Sequence, residues 1–100
     1  EDGYPVTKGH SLIIPRRHIS DYFELHGAEK NAIDRLLQQR RLELIKSDPS
    51  ITGFNIGINA GHSAGQTVAH VHVHLIPRRD DDMDDPRGGV RGVIPDMRIY

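Results

Sequence analysis

One hundred residues, 36% of them hydrophobic and 27% charged, describe a single small domain with a thin core, and no run approaches the roughly 18 apolar residues of a membrane span. Thirteen Lys and Arg against fourteen Asp and Glu leave a formal charge of -1, so no global positive field draws nucleic acid; any anionic ligand must be held by local groups. The absence of Cys excludes a disulfide framework and a thiolate zinc site, and with no basic-then-apolar leader the default expectation is a cytoplasmic protein.

Glu1 to Val6 contain no initiator Met and run straight into a turn-like Thr7-Lys8-Gly9, so the chain is expected to begin in mid-structure, with an upstream part missing. His10-Ser11-Leu12-Ile13-Ile14-Pro15, β-branched at its centre, predicts a short strand between a Gly and a Pro. Asp21 with Glu24 resembles a capping box, and Ile33, Leu36, Leu37 and Leu44 recur at helical spacing, which predicts mostly helix over 21–47. Gly27 splits one turn from its start and Pro49 stops it. Residues 53–59 alternate, with Phe54, Ile56 and Ile58 on one face, as a half-buried strand does. A small, glycine-containing loop over 60–66 leads to a third strand over 68–76, ended by Pro77. From Arg78 onward an acidic run and Pro86-Arg87-Gly88-Gly89 predict a solvated, partly ordered tail. Strands separated by one long helix make an α+β domain, with a mainly antiparallel sheet packed on that helix.

The chemistry concentrates in three of the seven histidines, His70, His72 and His74. Alternation along a strand puts them on one face, about 7 Å apart, while Val71, Val73 and Leu75 turn to the other. Histidine is a poor choice for a dry core, because each ring has two nitrogens that need partners and an unpaired buried one costs about 1–3 kcal/mol. The imidazoles therefore belong to a cleft.

A metal site competes for the same triplet, since His-x-His on a strand can bring two nitrogens to one zinc and His10 supplies another ligand. The neighbourhood favours phosphate instead. Gly65 allows close backbone approach to an anion, and Asn59, Gln66 and Thr67 are neutral groups suited to phosphate oxygens. A neutral imidazole, with an ordinary pKa near ~6.5, attacks phosphorus without a separate base, provided one ring nitrogen is held as N–H so that the other presents its lone pair. Placed donors then carry most of the catalysis, with leaving-group protonation adding typically ~10²–10⁴-fold.

The segment Gly65-Gln66-Thr67-Val68-Ala69-His70-Val71-His72-Val73-His74-Leu75-Ile76 resembles the signature of the histidine triad family, three histidines alternating with apolar residues. The likeness continues through Gly53-Phe54-Asn55, Asn59, and His10 to Pro15 followed by Arg17-His18, nearly the whole chain. It implies a sheet of about five strands in the full domain, a homodimer with a joined sheet, no cofactor or active-site metal, and hydrolysis or transfer of nucleoside monophosphates, adenosine types included, through a nucleotidyl-histidine. His72 matches the nucleophile, His70 and His74 the flanking histidines, and His10 a fourth supporting histidine. Asn59, Gly65, Gln66 and Thr67 match phosphate-binding positions, and Asp2 matches the ribose-binding position. Of the remainder, His18 and His26 are expected to be exposed polar residues, and His62 lies in the loop before Gly65. Gly88 and Gly89 make either an anion nest or a plain turn, and Asp80 to Asp82 are expected to be a solvated charge run, the alternative being that they weaken a grip of Arg78 and Arg79 on distal phosphates. A nucleotide-binding module without catalysis and a zinc hydrolase remain the competing classes.

Overall fold

The computed structural model describes residues 5–100. Asp2 lies outside them.

Among the described residues the sheet has three strands: β1 (Ser11–Ile13), β2 (Ile51–Ile58) and β3 (Val73–Arg79), in the order β1-β3-β2 with every pair antiparallel. One long helix, α1 (Gly27–Ser47), lies against one face of it, as the expected α+β architecture requires. Register decides which face each side chain joins. Val73, Leu75 and Pro77 stand opposite Ile58, Ile56 and Phe54, whereas His74 and Ile76 stand opposite Gly57 and Asn55. Val73 and Leu75, beside Ile13, Ile33 and Leu44, form the core between sheet and helix; Leu75 is 1% exposed.

Gly27 does split the helical region as expected. Tyr22–Glu24 is a single 3-10 turn whose N-cap, Asp21, accepts from the Phe23 backbone N–H at 2.9 Å. The long helix has its own start: Glu29 Oε1 accepts from the backbone N–H of His26 at 2.8 Å, so the capping glutamate is Glu29 and not Glu24. Ile33 and Leu44 are the buried residues of α1, while Leu36, expected on the same stripe, is exposed. Ile56 has its expected orientation but is 53% exposed, since it sits on β2, at the edge of the sheet.

The third strand starts and ends later than its sequence predicts. Ladder pairing on both sides of β3 stops at Val73, opposite Ile13 and Ile58, because Pro15 and the loop after Ile58 carry both neighbours away. His70 to His72 are held instead by the bond from the Val71 N–H to the Ile19 carbonyl at 2.7 Å. At the other end β3 passes through Pro77 to Arg79. Pairing with β1 begins only at Ser11 and Leu75, so a residue without an N–H leaves the ladder on that side intact.

The segment after β3 is also more ordered than expected. Two 3-10 turns, Gly89–Val93 and Pro95–Met97, are tied together by the Arg98 guanidinium, which donates to the carbonyls of Asp85 and Arg87. Gly88, at φ 88°, has no room for a side chain, because a Cβ would run into the Arg98 carbonyl. The Gly89–Val93 turn packs on β2. No helix of the described residues is long and apolar enough to cross a membrane.

Candidate active site

The histidine cluster is built across β1, β3 and the segment leading into β3. His10 is 2% exposed, and its Nδ1 accepts from the Val6 backbone N–H at 3.0 Å. An acceptor at Nδ1 fixes the proton on Nε2, which lies 2.9 Å from His74 Nδ1 and donates to it. His74 must then carry its own proton on Nε2. A backbone amide thus sets two tautomers in succession, and the second histidine presents a donor.

His72 has the opposite polarity. Its Nδ1 lies 2.9 Å from the His70 carbonyl, an obligate acceptor, so Nδ1 carries the proton and Nε2 keeps its lone pair. The rings of His72 and His74 are edge to face with centroids 5.2 Å apart, closer than the strand spacing of about 7 Å. A lone pair and an N–H donor are therefore supplied by adjacent rings. His70 donates from Nε2 to the Pro15 carbonyl at 2.9 Å, which ties the segment before β3 to the chain leaving β1.

His18 is exposed, as expected, and in addition its ring lies against that of His70, tilted by 35° with centroids 4.6 Å apart. Only the turn at Pro15 brings them together, and no local pattern announces such a contact. His26 stands at the N-cap of α1 and His62 opens an exposed turn, both away from the cluster.

The structure distributes the expected phosphate-binding residues unevenly. Asn59 lies with His10 and His74 along one cavity. Gly65, at φ 92°, ends the turn His62–Ala64 and bonds its N–H to the His62 carbonyl at 3.0 Å. The Gln66 side chain holds this loop: Oε1 accepts from the Gly61 N–H, and Nε2 donates to the carbonyls of Ser20 and Val68. Thr67 is exposed beside it.

The arginines that end β3 are held by neighbouring groups of the protein. Arg78 donates to both Asp82 oxygens and to Asn55 Oδ1, and Arg79 to Asp48 and the Lys8 carbonyl. The guanidinium of Arg78 holds the Asp82 carboxyl down at about 2. In a cavity of about 670 Å³ lined by Arg78, Arg79, Asp80, Asp81, Asp82 and Asp84, the two arginines are thus already bonded to carboxylates, which weakens any pull on a polyphosphate. Among the described residues no three His, Asp or Glu side chains converge on a point where a metal ion could be held.

The HIT domain profile matches residues 1–81. The chain belongs to the HIT, or histidine triad, family. This HIT chain is 36% identical over 80 residues to the AP-4-A phosphorylase of Mycobacterium tuberculosis, covering 79% of itself and 40% of that protein. It is 39% identical over 82 residues to the bis(5'-nucleosyl)-tetraphosphatase [asymmetrical] of Schizosaccharomyces pombe, covering 81% of itself and 44% of that protein. It therefore spans less than half the length of either relative. A Zn-bound histidine triad family protein from Mycobacterium smegmatis superposes with a TM-score of 0.73 at 36% identity, over 81% of this chain and 58% of that one.

Proposed function

We propose that this HIT domain cleaves nucleoside phosphate anhydrides at the α-phosphorus, with His72 as a covalent nucleophile. The single observation that carries the reading is the pair of opposed tautomers: the Nδ1–H of His72 bound to the His70 carbonyl, and the Nε2–H of His74 beside it. The names of two relatives, a phosphorylase and a tetraphosphatase of dinucleoside polyphosphates, support the substrate class.

The reaction balances on these residues. The Nε2 lone pair of His72 attacks phosphorus, the bond from phosphorus to the bridging oxygen breaks, and the polyphosphate departs as its anion. His74 donates its Nε2 hydrogen bond to the departing oxygen, where charge builds up. The adduct is an imidazolium whose Nδ1–H stays on the His70 carbonyl. Water then adds to phosphorus, the P–N bond breaks with its electrons returning to Nε2, and a water proton passes to solvent. Asn59 and Thr67 supply donors to the non-bridging oxygens, the side-chain-free Gly65 lets the chain pass close to them, and Asp2 takes the ribose. Among the described residues no strand lies beside the outer edge of β2, and this edge, with Ile56 exposed, suits a second copy of the chain and supports a homodimer.

Intact-protein mass spectrometry after a quench without acid, with a panel of adenosine substrates, tests the covalent step. An adduct of one adenylate on the wild type that is absent from His72→Ala is the expected result. No adduct, together with activity lost to a chelator and restored by zinc, would transfer the chemistry to a metal; nucleotide binding with neither adduct nor turnover would make the domain a binding module.

A further inference from the structure

The histidine face of the sheet continues past His74 toward Gly57 and Ile76, in a compartment that shares His10, His74 and Asn59 with the cleavage site. The compartment is a cavity of about 570 Å³, within the range of roughly 300–1,000 Å³ usual for small-ligand sites. His10 and His74 line one end and Ile76 part of the floor; Val90 and Val93, on the turn that follows Gly88, form the opposing wall. Gly57 matters most. It stands opposite His74 in the register, so its absent side chain would project from the histidine face, and a Cβ there would meet no atom within 4 Å. The result is a strip of backbone beside aliphatic side chains, with Asn55 and Asn59 also on the lining.

We infer that this cavity holds the nucleobase of the departing nucleoside when the substrate is a dinucleoside polyphosphate. The inference rests on the proposed function and names its leaving group. Three features favour a base. Apolar side chains beside a side-chain-free strip admit a flat heteroaromatic ring, and Asn55, whose Oδ1 is held by Arg78, keeps its Nδ2 as a donor for the ring's edge. The cavity is lined by His74 and not by His72, where the attacked phosphorus must sit. The chain of atoms leaving phosphorus therefore runs past His74 toward Gly57.

Matched substrates test this: diadenosine tetraphosphate against adenosine 5'-tetraphosphate, which lacks only the second nucleoside. In Gly57→Leu, whose side chain fills the empty strip, kcat/KM for the dinucleotide is expected to fall by about tenfold or more while that for adenosine tetraphosphate stays within about twofold. Val90→Asp, which charges the wall from outside the core, is expected to give the same split and serves if Gly57→Leu fails to fold. Equal losses on both substrates, or no loss on either, would overturn the inference and leave the nucleophile assignment standing. A wild type that releases adenylate from neither substrate would remove the proposed function, and this inference with it.

Discussion

The two faces of β3 are made from one stretch of alternating residues and put to opposite uses. On the helix side, Val73 and Leu75 meet only hydrocarbon and need no partner atoms, so volume alone decides their fit. On the other side, His70, His72, His74 and His10 each have a hydrogen bond that assigns a ring proton. The first face holds the strand in place; the second depends on that placement for the direction of two nitrogens. A substitution on one face should therefore register in stability and on the other in chemistry.

The widest separation is expected from His72→Ala, which removes the attacking lone pair: turnover should fall by about 10³-fold or more. Its thermal unfolding midpoint should stay near wild type, because His72 is only half-buried. A matching fall in that midpoint would mean that the two faces are not separable. Leu75→Ala is the counterpart. Truncating a side chain that is 1% exposed should cost about 2–5 kcal/mol by denaturant unfolding, while the fraction that remains folded turns over normally.

Much of this division can be read along the chain. Alternation of His and Val over 70–75 is enough to assign the two faces, and Gly27 and Pro49 mark where α1 starts and stops. What escapes is set by neighbours far away in sequence. The start of β3 depends on where β1 and β2 diverge, and the contact of His18 with His70 depends on the turn at Pro15. Gln66 matches a phosphate-binding position, yet its side chain bonds to Ser20, 46 residues away. The last twenty residues have the composition of a solvated tail; their order comes from arginines bonded to backbone carbonyls, which no period in the sequence encodes.

A finer cut separates His10 from the residues on either side of it. His10 is as buried as the core but works through a proton, so shape and hydrogen bonding can be tested apart. His10→Phe fills the volume and loses the donor to His74, and kcat should fall by about ten- to a hundredfold with KM little changed. His10→Gln, which restores an N–H near the same place, should recover part of that loss. Equal activity in the two variants would show that His10 only fills space.

The smallest expected effect concerns a carboxylate on the helix side of the fold. Asp48 accepts from the hydroxyl and backbone N–H of Ser50 and pairs with Arg79, and these contacts lower its pKa from 3.8 to about 2. Because the folded value lies below the unfolded one, the contribution to stability is fully present above pH 3.8 and is lost as pH falls toward 2. Asp48→Asn should therefore flatten the acid limb of the stability curve in that window, and lower stability slightly at neutral pH, where the ion pair is intact. The histidine face has no part in this, so adduct formation at neutral pH should be unchanged. If the acid limb keeps its wild-type slope, the ion pair that joins the end of α1 to β3 does not contribute to folding, and the acid sensitivity of the chain must come from Glu29, Asp82 and Asp85, whose carboxyls arginines hold equally low.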